Sequence, residues 1–298
     1  MKSDLDCLVC LLKQGLNTAR LAAADVNLQR EVINRVSDII KTSQLERSPA
    51  EISTAVYRIV SEVTGVADPY KEIKTKTNQE AIQLMPVLQA LMNNAADTLD
   101  AALHIAAAGN IIDIGIGHPF DLQEDIEQIM NTPFAVNDST LFRAELNTAR
   151  RLLYVGDNSG EIVFDRILVE ELLKTGIKIL FSVKSGPIIN DAMMEDARTA
   201  GLTDIVPVIE TGSDDIGINF TNVSDEFRRA FDNADIVLAK GHGNFETLSG
   251  IKKNIYFLLK AKCDVVAQEL GVKKDDIVFK HNTEHITLSA KPSLLSEM

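Results

Sequence analysis

From Asn110 onward the chain alternates short apolar runs of strand composition with longer runs of helical period, and this rhythm constrains the fold more than any other feature. NIIDIGIG (110–117) is followed by PFDLQEDIEQIM, RLLYVGDN (151–158) by GEIVFDRILVEELLKTG, and KILFSVK (178–184) by NDAMMEDARTAG. DIVPVIET (204–211) then leads to TNVSDEFRRAFDNA, DIVLAKG (235–241) to a glycine-bearing turn, and IYFLLKAKC (255–263) to CDVVAQELG, which closes the series. Strands separated by helical crossovers pair in parallel with helices on both faces. The alternation therefore predicts an α/β protein, a three-layer α/β/α sandwich on a largely parallel sheet in which mixed pairing is allowed.

The first part of the chain has a different period. Leu5, Leu8, Val9, Leu12 and Leu16 recur at helical spacing, as do Val32, Val36, Ile39 and Ile40. Ser48-Pro49-Ala50-Glu51 reads as a helix start with Ser48 as cap, and that helix continues through 55–63 to Gly65. Asp68-Pro69 breaks the chain before a long helical pattern from Asn78 to about Ala108. The expected organisation is an all-helical subdomain over 1–108 and an α/β/α domain over 109–298, integrated as one unit, with a polar, peripheral tail after Lys280.

With 30 basic against 43 acidic residues, the net charge is −13 and no compact Lys/Arg cluster offsets it. Nucleic acid and anionic membrane surfaces are poor partners for that field. No apolar run approaches the roughly 20 residues of a membrane span, and MKSDLDCLVC lacks the order of a signal peptide, so the expected compartment is the cytoplasm. An anionic substrate needs local positive charge, from a metal or from helix ends.

The chemistry concentrates where strands end. In RLLYVGDNSGE (151–161) the apolar run stops at Gly156 and presents Asp157 and Asn158 together before a helix that starts at Glu161. Carboxylate and amide oxygens suit a hard divalent cation such as Mg²⁺, with water and substrate oxygens completing its shell. A third ligand stands at the comparable place in the next unit, where VKSGPIINDAM brings Asp191 close to Asp157 if the two strands are parallel neighbours. The same residue types also build ordinary strand–helix turns, with Asn190 as a cap. Glu161 is either a favourable partner for the helix dipole or a general base beside the metal.

Three motifs, GDNSGE (156–161), VKSGPIIND (183–191) and LAKGHGNFETL (238–248), together resemble the damage-control phosphatase family, also called acidic-residue-methyltransferase-like. CLVC (7–10) resembles the amino terminus of its microbial single-domain members. The resemblance spans nearly the whole chain and implies a metal-dependent phosphatase acting on phosphorylated metabolites, with a helical region joined to an α/β/α sandwich. It implies that Asp157, Asn158 and Asp191 hold the divalent ion, be it Mg, Mn, Co or Ni, and that Lys240 meets the phosphoryl group from the far side. Asn244 and Glu246 take a sugar-hydroxyl or phosphate-contacting role by the same resemblance, although Asn244 also serves as a helix cap. Asn110 and Asp113 resemble a fourth family segment that reaches the cleft, and turn chemistry accounts for them as well.

The Ser159 and Gly160 amides, at a helix start, are expected to hold another phosphoryl oxygen. His242, between two glycines, reads as a loop histidine, and His118 stands before Pro119 without a distinguishing role. Asp157-Asn158-Ser159 departs from the Asp-x-Asp of haloacid dehalogenases, which counts against a phospho-aspartate route. Cys7 and Cys10 share a helix face and suit packing first, a soft metal or a redox pair second. The leading expectation is a metal-dependent hydrolase of a small phosphorylated metabolite, with catalytic Asp157, Asp191, Glu161 and Lys240. The alternatives are an S-adenosylmethionine-dependent carboxyl methyltransferase, for which GIGHP (115–119) is a thin cofactor cradle, and a non-enzymatic metal- or metabolite-binding regulator. No oligomeric state is implied.

Overall fold

The computed structural model describes residues 1–111 and 129–282. Asp113, His118 and the side chain of Asn110 lie outside what is described. Seven strands form one sheet in the order β1-β7-β6-β5-β2-β3-β4. They are β1 (Val136–Asn137), β2 (Arg151–Val155), β3 (Lys178–Val183), β4 (Val208–Glu210), β5 (Ile236–Lys240), β6 (Ile255–Lys260) and β7 (Ile277–His281). All neighbours pair in parallel except β6 and β7. The connection between those two strands carries a helix of about two turns, Asp264–Leu270.

Alternation along the central strands divides the molecule into three layers. Leu152 and Tyr154 of β2, with Ile236 and Leu238 of β5, enter one core together with helices α4 (Lys71–Asn94), α5 (Thr98–Ile111), α6 (Ser139–Leu146), α7 (Glu161–Leu173) and α8 (Met194–Thr199). Leu153, Val155, Val237 and Ala239 enter the other, against α9 (Asp225–Asn233), α10 (Gly241–Leu248) and α11 (Asp264–Leu270). Burying both faces explains why the strands read as continuous apolar runs in sequence.

The amino-terminal helices α1 (Leu5–Ala22), α2 (Val26–Thr42) and α3 (Pro49–Thr64) pack on a separate core of Leu11, Val32, Val36, Ile52, Val56 and Val60. Ser48 caps α3 by accepting from the Glu51 N–H at 3.3 Å. Leu5 and Val9 stay 67% and 70% exposed, because the face of α1 that α2 and α3 cover runs through Leu11, Gly15 and Ala19 instead. No helix among the described residues is long and apolar enough to cross a membrane.

Four sequence expectations change. The long helix from Asn78 is two helices, broken at 95–97, where Asp97 accepts from the Asp100 N–H at 3.0 Å. Asn110 and Ile111 end α5, whose Ala-rich run carries helical backbone past the expected start of a strand. The turn expected after β5 is the helix α10. Finally, β7 is an additional strand whose Val278 and Phe279 bury in opposite cores.

Candidate active site

β2 lies between β3 and β5, so the chain reverses its direction of progress across the sheet there, and the crevice at the carboxyl ends of these strands is where an open α/β sheet receives ligands. Asp157 leaves β2, Asp191 follows β3, and Gly241 follows β5. An isolated bridge pairs Asn158 with Asp191, sealed by Ser159 N–H donating to Asn190 O at 2.8 Å and Ala192 N–H donating to Asp157 O at 2.8 Å. The two loops therefore form one rigid ledge that holds Asp157, Asn158 and Asp191 together.

The Asn158 amide donates to Asp157 Oδ2 at 2.9 Å and to Glu161 Oε1 at 2.8 Å, which fixes its orientation between the two carboxylates. Glu161 and Asp191 are both buried. Burial, then repulsion from Glu161 and Asp191, raises Asp157 well above the ordinary carboxylate range. Burial likewise lifts Asp191 to about 6, with Lys184 pulling against it and Glu161 adding to it.

Gly241 brings the start of α10 against Asp157. Its φ of +77° suits glycine, and a Cβ there would stand 1.8 Å from Asp157 Oδ2. Asn244, one turn on, donates to Lys240 O at 2.7 Å and Gly156 O at 3.1 Å, tying the ends of β5 and β2 together.

Lys240 is fully buried and donates to Asp165 Oδ1 at 2.6 Å and to Ala106 O at 2.8 Å, with Glu161 Oε2 at 3.7 Å. Tyr154 O–H donates to the same Asp165 oxygen at 2.7 Å. Lys240 thus stands behind Glu161, in a buried ionic group shared with α7.

The Ser159 and Gly160 amides correct the expectation of free donors. Closing the ledge engages the first, and Asn78 of α4 accepts from the second at 2.7 Å while donating to Asp196 Oδ1 at 2.6 Å. Glu246 is placed apart from the ledge, against the start of α3: the Ala50 N–H and the terminal ammonium oppose the effect of burial, which still pushes it up to about 7. His242 is a helical residue, not a loop one. Its Nε2 lies 2.7 Å from Lys260 O and 2.9 Å from Lys262 N, and burial lowers it to about 4.

Cys7 accepts from the Asp4 N–H at 3.4 Å and Cys10 from Gln14 Nε2 at 3.3 Å; burial raises both thiols, the reverse of what a reactive cysteine needs.

Two site residues escaped the sequence reading. Lys184, at the end of β3, is buried, donates to the Gly217 carbonyl and lies 3.7 Å from Asp191 Oδ2. Its position in VKSGPIIND, beside the proposed ligand, was the signal that could have found it. Asn78 carried no such signal, since it lies in a helical run far from the motifs it holds.

Residues 3–278 match the model of the damage-control phosphatase ARMT1-like domain. The chain belongs to that family. A damage-control phosphatase of Pyrococcus horikoshii is 35% identical over 286 residues, covering 95% of this chain and 99% of that protein. One of Archaeoglobus fulgidus is 34% identical over 287 residues, covering 94% and 99%. The crystal structure of a DUF89 family protein from Pyrococcus horikoshii aligns with a TM-score of 0.88 at 35% identity, covering 95% of this chain and 99% of that one. The ledge, α10 and the buried lysines all lie within the damage-control phosphatase match.

Proposed function

We propose that this damage-control phosphatase is metal-dependent and hydrolyses small phosphate monoesters, a sugar phosphate or a damaged phosphorylated metabolite. Asp157, Asn158 and Asp191 are its metal ligands in this reading. The observation that carries it is the crowding of carboxylates at one ledge, where the Asn158–Asp191 bridge joins the loops of Asp157 and Asp191 beside Glu161: burial raises both aspartates, Glu161 and Asp191 add to it at Asp157, and Glu161 adds to it at Asp191. The two buried lysines nearby are partly engaged, Lys240 by Asp165 and Lys184 by the Gly217 carbonyl. An oxygen-only donor set with excess negative charge fits a hard divalent cation of the Mg, Mn, Co or Ni group. Among the described residues no three His, Cys, Asp or Glu side chains close a metal cage, and in this reading the amide oxygen of Asn158, whose Nδ2 is held by Asp157 and Glu161, would be the third protein donor. When bound, the cation would polarise the phosphoryl group and offset charge developing on its oxygens.

The protein's own groups divide the remaining work. Lys184, beside Asp191, supplies a compact positive charge to a phosphoryl oxygen on that side. Lys240 keeps Glu161 in place from behind, and Glu161 takes a proton from the attacking water. The water oxygen bonds to phosphorus as the ester P–O bond breaks, and the leaving oxygen departs as an alcohol by gaining the proton that Glu161 took. The amides of 159 and 160 brace the ledge, and Asn244 braces the junction of β2 and β5.

Asp157→Asn and Asp191→Asn test the assignment. Each should lower metal-stimulated phosphate release from p-nitrophenyl phosphate by about a hundredfold or more. Because each removes a crowded charge, each should also leave the metal-free protein as stable as the wild type or more so. Retained turnover in both variants would remove these residues from the site.

A further inference from the structure

The ledge accounts for a phosphoryl group but leaves unexplained a cavity of about 450 Å³ beside it, between α1, α3, the start of α4 and the loop that leads to Asp191. Its wall includes Thr18, Tyr57, Arg58, Tyr70, Ile188 and Ile189. The last two connect it directly to the ledge, since Ile188 O accepts from the Asp191 N–H at 3.1 Å. Tyr57 lies near enough to Asp191 for that carboxylate to add to the upward shift that burial gives its phenol.

Ile189 has φ of +45°, in the left-handed region that a β-branched residue occupies only when its surroundings compel it. The chain is held around it: Ile188 O, just before it, accepts from the Asp191 N–H, Asn190 O, just after it, accepts from Ser159 N–H, and Asp191 is in the bridge to Asn158. The strain is thus stored where the cavity meets the ledge.

The wall offers hydroxyl groups and ring faces. Thr18 Oγ1 and Tyr70 OH are 2.9 Å apart, and Tyr57 O–H donates to Gln14 Oε1 at 3.3 Å. The cation in the wall, Arg58, and those behind its carboxylates are already paired. Arg58 donates to Asp214 at 2.6 Å and Asp215 at 2.8 Å, Lys74 meets Asp68 at 2.7 Å, and Arg35, behind Glu62, meets it at 2.5 Å. Among the described residues around this cavity, each of these positive charges thus has a carboxylate against it, and Arg58 has two.

We infer that this cavity receives the leaving group of the phosphate ester and selects an uncharged, hydroxyl-bearing one over one that carries a second anionic group. The inference rests on the phosphatase reading and adds the part of the substrate that the ledge does not touch. Hydroxyls of the leaving group exchange hydrogen bonds with Thr18, Tyr57 and Tyr70, while its carbon skeleton lies on the rings and on Ile189. A second anion would face the carboxylates of Glu62, Asp68 and Asp214 with no unpaired cation to receive it.

Glucitol 6-phosphate and 6-phosphogluconate form a matched pair, with the same open chain ending in CH₂OH or in carboxylate. The wild type should show kcat/KM for the polyol ester about tenfold or more above that for the acid. Asp214→Asn, which frees Arg58 in part, should narrow the ratio by raising the acid. Tyr70→Phe should narrow it by raising KM for the polyol with kcat little changed. Calorimetric binding of the two esters to metal-free protein reads the same preference without turnover. Equal kcat/KM and equal affinity for the pair, variants that move both esters alike, or turnover of p-nitrophenyl phosphate with neither open-chain ester bound would overturn the assignment. Loss of turnover on every ester would instead refute the phosphatase reading, and the binding preference would then decide the role of the cavity.

Discussion

Gly241→Ala separates the cost of backbone strain from the cost of disturbing the site. The glycine sits at φ +77°, and a Cβ there would lie 1.8 Å from Asp157 Oδ2 and 2.3 Å from its carboxyl carbon. Ordinary van der Waals contact needs about 3.5 Å, so either the carboxylate or the start of α10 must move by more than about an ångström. Left-handed backbone costs a residue with a side chain about 1–2 kcal/mol, equivalent to a few degrees in Tm for a chain of this size. Displacing a reacting group by about an ångström costs on the order of a hundredfold in rate. Gly176→Ala is the control: its φ is +83° and no atom lies within 4 Å of the added Cβ. Melting curves should show Gly176→Ala destabilised by backbone strain alone and Gly241→Ala by that much or more, while metal-stimulated release of p-nitrophenol should fall about a hundredfold in Gly241→Ala alone. Equal activity in the two variants would refute the close approach of α10 to Asp157 as a requirement of the site.

Lys240→Met leaves Asp165 buried beside Tyr154 without its cation, and should destabilise by about 3–5 kcal/mol in denaturant titration; adding Asp165→Asn should recover much of that loss, and additive losses would argue against one coupled unit. Asn78→Ala strips partners from the Gly160 amide and from Asp196, and should cost about 2–3 kcal/mol along with weaker metal-stimulated turnover; a neutral result would mean that α4 does not brace the ledge. Glu246 holds its proton up to about 7 in the folded chain against an ordinary 4.5, so its contribution is present below about pH 4.5 and lost as pH rises through 7. Glu246→Gln should therefore stabilise at pH 8, by about 2 kcal/mol after discounting for partial exposure, and change little at pH 4; the opposite pH trend in melting would contradict the burial argument.

The strand–helix rhythm revealed the sheet because its central β-runs are buried on both faces and so read as continuously apolar, and GDNSGE and VKSGPIIND ended on neighbouring strands because parallel units follow one another. Those two facts sufficed to place Asp157, Asn158 and Asp191 on one ledge. What stayed hidden depends on contacts between distant segments. Asn78 caps the ledge from 82 positions away in sequence, and its own neighbourhood looks like any polar helix face. Lys184 was passed over because a lysine at a strand end usually reaches solvent, whereas here the 217 carbonyl and Asp191 keep it inside. Ser159 and Gly160 read as free amides because a helix start exposes donors by default, and only the docked α4 and the 190 carbonyl show them engaged. The β7 strand escapes the sequence reading because its apolar run is only Ile277-Val278-Phe279, cut short by Lys280 and the polar tail.

The central claim is that the ledge works as a divalent-metal phosphatase site, and a single titration tests it most directly. Phosphate release from p-nitrophenyl phosphate is measured for the wild type, for the wild type after EDTA, and after stepwise return of Mg²⁺, Mn²⁺, Co²⁺ or Ni²⁺, alongside Asp157→Asn. The account predicts turnover that disappears with EDTA, returns saturably with at least one of the ions, and stays at least about a hundredfold lower in the variant at every metal concentration. Turnover that survives EDTA, or that returns equally in Asp157→Asn, would contradict it.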